Sequence, residues 1–483
     1  MSGAILDLYP EYAATEKLDL LRQSAYGYSY LDEQGHVYLD YGGAGLASRA
    51  KIQAHSAHLT GVTLGNPHSV NPTSRTSSEL IDRTRAKILS FFNASPEEYA
   101  VVFTPNASGA ARLVGESYPF RKHSKLVMTA DNHNSIHGLR CFAHKNRATH
   151  VYVPMTKKDE LRTNTKAVED ALPSLKERRL FKRSGPSLFA FPAQSNFSGV
   201  CHPLSWVKLA QDRGYDVATG CCGISPNQAV RLFGYQARVY DCELVQGHGL
   251  PYWRRLSHYT EGCFGSLATA LVRRRYSQGR QCQSPWQLMT TDESSLEDGT
   301  LNFWAIPDIH IGLDWLGEVG MDIISLRVQC LTGYLIRKLM SLHHADGRPM
   351  TRLYGPENTE NRGGTVAFNL LDSNGQIFDN RIIAKESAAY GISLRTGCFC
   401  NPGVGETAFG VTKSALEPLK KVKGDLSMEE ILEIIGLSSF GAIRVSLGIA
   451  STVKDVDLFL TFAEKVYKDR VNDTSGLEPR SGC

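Results

Sequence analysis

The chain has 483 residues, 42% hydrophobic and 21% charged, with 53 basic against 49 acidic side chains for a net charge of +4. That length exceeds what one hydrophobic core usually holds, so two domains sharing an interface are expected. No apolar run approaches the roughly 20 residues that cross a bilayer, and so small a charge without a basic tract points to no membrane and no nucleic-acid partner.

The opening stretch from Met1 to Gln23 has acidic residues early and no apolar core before a small-residue cleavage site, so the protein is expected to stay in the cytosol. Its eleven cysteines are then expected to be mostly free thiols. Ser78 to Phe91 places Leu80, Ile81, Ile88 and Leu89 on one face and predicts a helix. Tyr99 to Thr104 is a short β-branched run, followed by the polar loop Pro105 to Gly109 and a helical pattern over Ala110 to Glu116. The alternation recurs with Lys125 to Thr129 before Asp131-Asn132-His133, and with Leu188 to Pro192 before Gln194-Ser195-Asn196. Repeated strand, loop and helix predict an α/β fold around a mostly parallel sheet, whose ligands gather at the carboxyl ends of the strands.

Beyond Asp308 the pattern becomes a long helical segment, Ile309 to Leu342, then an extended run, Gly364 to Leu371, and helices near Met428 to Ile435 and Val456 to Tyr467. This predicts a smaller α+β domain. The expected division is an N-terminal segment (1–50) packing on the small domain, a large domain (51–307), a small domain (308–470) and a disordered polar tail (471–483).

Three loops carry chemistry. Pro105-Asn106-Ala107-Ser108-Gly109 stands where a strand hands over to a helix, which suits either an ordinary cap or a phosphate held on free N–H groups. His133 in the next loop is either a packed histidine or a ring able to lie on an aromatic ligand. In Leu394-Arg395-Thr396-Gly397-Cys398-Phe399-Cys400-Asn401-Pro402-Gly403 two cysteines lie beside an arginine that can favour a thiolate and clasp a carboxylate. A zinc site would need a second ligand pair, which the sequence does not offer, so no metal is expected.

These residues, with Tyr38-Leu39-Asp40-Tyr41-Gly42-Gly43-Ala44-Gly45, Gly65-Asn66-Pro67-His68-Ser69, Phe191 to Gly199 and Glu297-Asp298-Gly299-Thr300-Leu301-Asn302-Phe303, resemble the class V aminotransferase-like, fold-type I pyridoxal-phosphate enzymes. Among these they resemble the eukaryotic molybdenum cofactor sulfurases, a likeness that runs from about Leu20 to Lys468. The resemblance implies a homodimeric enzyme that uses pyridoxal 5'-phosphate to take sulfur from L-cysteine, with the molybdenum cofactor as acceptor. It implies that Ala107 and Ser108 cradle the cofactor phosphate, His133 stacks on its ring and Asn196 contacts its phenolic oxygen. Thr300 would reach a phosphate across the dimer, Arg395 would bind the substrate carboxylate, and Cys400 would be the nucleophile, with Cys398 as runner-up. The other readings are a desulfurase for another acceptor and an inactive partner protein.

The resemblance also requires, between Asn196 and Thr300, an acid for the pyridine nitrogen and a lysine that bonds the cofactor. There is no lysine between Lys208 and Lys338, and Ala218 to Gln287, holding five of the eleven cysteines, is unlike the family. With wobble bases chosen freely and the frame moved one base on, Ala218 to Gln228 reads L-L-D-A-A-E-Y-L-P-T, a strand ending in aspartate. Asp241 to Trp253 reads T-V-S-W-Y-K-V-M-G-Y-P-T, like the family's cofactor-lysine segment, and Thr269 to Tyr276 yields R-P-W-F-A-G-G. A frame change beginning near Val217 and reversing before Met289 is therefore expected, the alternative being a divergent insertion in a pseudoenzyme.

Overall fold

The computed structural model describes residues 3–174, 185–220, 292–422, 424, 426–437, 439–478 and 480, and the backbone of three short strands between 255 and 289. Its strands in chain order are β1 (Val37–Tyr38), β2 (Ala100–Thr104), β3 (Lys125–Thr129), β4 (Thr149–Val153), β5 (Leu188–Pro192), β6 (Asp216–Gly220), β7 (Arg255–Tyr259), β8 (Ser277–Arg280), β9 (Gln287–Met289), β10 (Thr351–Tyr354), β11 (Thr365–Leu370), β12 (Ile392–Ser393), β13 (Arg395–Gly397) and β14 (Ala442–Ser446).

Apolar runs without strict alternation belong to strands covered on both faces. Accordingly β4, β3, β5 and β6 form a parallel sheet in that order, and all five residues of β5 are buried. Val127, Phe189, Phe191 and Trp206 pack with Ile88 of the Pro72–Phe91 helix and with Phe92, its C-cap, on one side. Met128, Ala190 and Ala218 face Ala111 and Val114 of the Ala107–Ser117 helix on the other. The parallel α/β architecture is as the sequence predicted. The first helix begins six residues earlier than its apolar pattern, where Asn71 caps Ser74 N and Pro72 opens the first turn.

The smaller domain is built on an antiparallel sheet in the order β10-β11-β14-β13. The single long helix expected over Ile309 to Leu342 is instead two, Pro307–Val319 and Met321–Met340, bent by 72°. Gly320 between them has φ +100°, a left-handed conformation that ends the first helix.

The N-terminal segment packs on both domains rather than on the small one alone. Ile5 and Tyr12 enter the small-domain core with Leu335 and Phe459, whereas Leu18, Tyr28 and Leu31 belong to the large-domain core. Buried Arg22 donates to Ala450 O at 2.8 Å and to Asp32 at 2.9 Å, and buried Arg327 holds Asp19 at 2.8 Å. The tail expected to be disordered is tied down over much of its length. Asn472 N donates to Asp372 at 3.0 Å, Arg480 N to Glu429 at 2.7 Å and the Arg480 guanidinium to Asp379, so acids elsewhere in the chain, two of them buried, give its polar residues partners.

Candidate active site

The polar loops meet at the carboxyl ends of β2, β3 and β5. After β2 the Asn106 side chain accepts from Gly109 N at 2.8 Å and starts the Ala107–Ser117 helix, whose first N–H groups and dipole suit an anion. Ala107 is buried and Ser108 exposed. Ser108 Oγ lies 2.7 Å from Ser135 Oγ, and Ser135 in turn lies 3.1 Å from Nδ1 of His133. One hydroxyl thus links the helix start to the half-buried imidazole and fixes that ring's orientation.

The cysteine loop closes over these residues. Cys400 O accepts from Asn134 N at 2.7 Å, Phe399 O accepts from Asn196 Nδ2 at 2.7 Å, and fully buried Asn401 donates to Asp131 O at 2.8 Å and Asn196 Oδ1 at 2.9 Å. Gly403 lies so near the large domain that a Cβ there would stand 2.1 Å from Ala130 O. The latch bends the chain: Phe399 and Cys400 both have φ +52°, in the region that disfavours L side chains. Cys400 is exposed and free, whereas Cys398 is 4% exposed and disulfide-bonded. Cys400 is therefore the presented thiol.

Arg395 is exposed and paired with Asp40 at 2.9 Å. A second guanidinium, which the sequence reading missed, shares that carboxylate: Arg444, its cross-strand neighbour in β14, lies 3.1 Å from Asp40. Arg444 is 3% exposed, donates to Asn196 O at 3.0 Å, stacks on the Phe399 ring at 4.9 Å and leaves its Nε without a partner. Burial pulls its pKa below the usual value, against the attraction of Asp40. An arginine inside the apolar strand Ala442-Ile443-Arg444-Val445-Ser446 was the available signal, because a buried charge calls for a partner. Two cations and one carboxylate leave a positive site for an incoming carboxylate.

Thr300 is exposed on the segment after Glu297. Glu297 is 2% exposed, accepts from Arg85 at 2.8 and 2.9 Å and from Phe103 N at 2.9 Å, and so ties that segment to β2. Burial pushes its carboxyl up to about 7, with Arg85 opposing.

With the geometry in place, known proteins give the class. The family model for aminotransferase class-V matches residues 37–219 and 277–459, and the chain belongs to that family, whose cofactor is pyridoxal 5'-phosphate. Within it the chain is similar to the molybdenum cofactor sulfurase of Oryza sativa subsp. japonica, 30% identical over 90% of this chain and 56% of that protein. It is also similar to that of Homo sapiens, 28% identical over 89% and 49%. The chain spans about half the length of these relatives. In fold it is similar to a cysteine desulfurase from Thermococcus onnurineus NA1, with a TM-score of 0.71, 18% identity and coverage of 93% of this chain and 98% of that one. The Escherichia coli cysteine desulfurase CsdA gives 0.66, 15%, 90% and 95%.

The residues present fit part of the cofactor. A capped helix start, an oriented imidazole and the Asn196 amide suit a phosphate, a ring and a phenolic oxygen, although that amide is already engaged by Phe399 and Asn401. The covalent anchor does not fit, because the chain has no lysine from 209 to 337. Lys51, 3% exposed, is paired with Asp308 at 3.3 Å. The family match stops at Thr219 and resumes at Ser277, inside the stretch 218–287 in which a frame change was expected.

Proposed function

We propose that this chain is the sulfur-mobilising part of a molybdenum cofactor sulfurase, built to desulfurate L-cysteine through a persulfide on Cys400. The sulfur would pass to the molybdenum cofactor of xanthine dehydrogenase and aldehyde oxidase type enzymes. The observation that carries the reading is the exposed Cys400, held by bonds to Asn134 N and, through Phe399 and Asn401, to Asn196 and Asp131. Arg444 and Arg395 provide for the substrate carboxylate. Pyridoxal phosphate, when bound, supplies an electron-withdrawing ring that eases loss of sulfur from the amino acid.

The transfer balances without a further reagent. The Cys400 thiolate bonds to the substrate sulfur, the C–S bond breaks with its electron pair kept on carbon, and the substrate's thiol proton is matched by one delivered to Cβ. The products are alanine and a Cys400 persulfide. The left-handed turn at Phe399 and Cys400 must then open to carry the sulfur out.

The test uses the protein carrying the shifted-frame reading of 218–287, which contains a lysine and an aspartate. Given L-cysteine and pyridoxal phosphate it is expected to release alanine and carry a persulfide that Cys400→Ala abolishes and Cys398→Ala retains. The reverse pattern would move the nucleophile to Cys398, and a persulfide on neither would end the reading. The chain with its present sequence is expected to release no alanine. Sulfuration of an apo molybdenum hydroxylase separates this acceptor from an iron–sulfur or tRNA acceptor.

A further inference from the structure

The cysteine loop hangs between two places on the large domain. Fully buried Asn401 donates to Asp131 O, after β3, at 2.8 Å and to Asn196 Oδ1, after β5, at 2.9 Å. Both bonds come from one NH2 group, so they hold together only while those two segments keep one separation. The strand ladder does not set it, because pairing between β3 and β5 ends at Met128 and Ala190, ahead of both anchors. Past β5 the chain turns back on itself, with Gln194 bridging Cys201 and Asn196 in the turn between them.

His202 joins that turn to the β3 loop. Its backbone N–H donates to Ala193 O at 3.0 Å, and its ring stacks on Trp206 at 4.8 Å and 25°. Its Nε2 lies 2.6 Å from Oδ2 of Asp131, and both side chains are buried. Burial pushes the Asp131 carboxyl up and the imidazole pulls it down, with the net direction below the usual value. A carboxylate only accepts, so the imidazole nitrogen donates. Opening the pair would strand a buried charge, so it resists opening more than the neutral bond from Asn132 Nδ2 to Ala190 O at 3.1 Å, which also joins the two segments. We propose that His202 is a positioning residue for the Cys400 thiol: its pair with Asp131 fixes the separation of the two segments from which the cysteine loop hangs, and so where that thiol stands. The proposal rests on Cys400 as the working thiol, and it acts through Asn401 rather than at the sulfur.

His202→Phe keeps a ring against Trp206 without a donor, and His202→Gln places an amide N–H about where Nε2 stands. The double variant His202→Phe/Asp131→Asn strands no buried charge and keeps the test decisive if His202→Phe does not fold. The purified chain and the three variants are treated with iodoacetamide, and alkylation of Cys400 is followed by mass spectrometry with exposed Cys141 of the same molecules as reference. Hydrogen exchange at the Asn134 amide, which donates to Cys400 O, is followed alongside. His202→Phe and the double variant are expected to raise the Cys400-to-Cys141 ratio and the Asn134 exchange rate about tenfold, the worth of one hydrogen bond to a charged group, while His202→Gln stays within about twofold of the parent. An unchanged ratio in the double variant would overturn the proposal, and equal gains in His202→Gln and His202→Phe would overturn it too, making His202 a packing residue. Both rates are read without turnover, so a persulfide on neither cysteine of the chain with the shifted-frame reading would end the functional reading and leave them as they are.

Discussion

Thiol chemistry separates the cysteines by exposure. Burial pushes the Cys330 thiol up to about 11 and Cys201 is 6% exposed, whereas Cys400 and Cys141 are exposed. Iodoacetamide at neutral pH is therefore expected to modify Cys400 and Cys141 and to spare Cys201 and Cys330, as peptide mapping would show; early labelling of Cys330 would contradict the packing. Glu297 gives a pH dependence. Its carboxyl is raised from 4.5 to about 7, so between those values the folded chain binds a proton that the unfolded chain has released. Its contribution is then complete below about 4.5 and lost as pH rises through about 7. Urea midpoints against pH should show that slope, and Glu297→Gln should flatten it. Arg85→Ala strands the buried carboxylate and is expected to cost about 3–5 kcal/mol.

At the scale of elements, the latch on the cysteine loop is the sensitive part. Asn196→Ala removes the donor to Phe399 O and a partner of Asn401. It is expected to raise the alkylation rate of Cys400 severalfold with little change in unfolding temperature; an unchanged rate would mean the other loop contacts suffice. Gly403→Ala forces a methyl against Ala130 O and is expected to lower stability by about 1–3 kcal/mol, read from chemical denaturation. The strands that carry these loops were legible. β3 and β5 match their apolar runs residue for residue, because buried parallel strands concentrate valine, leucine and phenylalanine. The loop partners were less so. The family resemblance implied a cofactor oxygen for Asn196 and a substrate carboxylate for Arg395, yet their present partners, Phe399 O and Asp40, lie 203 and 355 residues away along the chain. Nothing local encodes such a pairing. Arg444 was missed because a strand that buries a charge reads as an ordinary apolar run.

For the whole molecule, the question is whether residues 218–287 belong to the same reading frame as their surroundings. The coding sequence and transcript across Arg213 to Leu296 are expected to admit the shifted frame with its aspartate and lysine. A sequence that cannot be read that way would establish the divergent insertion and withdraw desulfuration for this chain. The fold class was legible because it follows from periodicity, whereas the break after Thr219 was visible only as a loss of likeness.

The N-terminal strap has a consequence in time. Arg22 finds its carbonyl at Ala450, 428 residues later, and Ile5 packs in the core that contains Phe459. At synthesis rates of about 5–20 residues per second, Ala450 leaves the ribosome roughly 20 to 90 seconds after Arg22. During that interval Ile5 and Tyr12 lack most of the core they finally pack in, so the nascent chain is expected to be a client for holding chaperones until the Val453–Tyr467 helix is made.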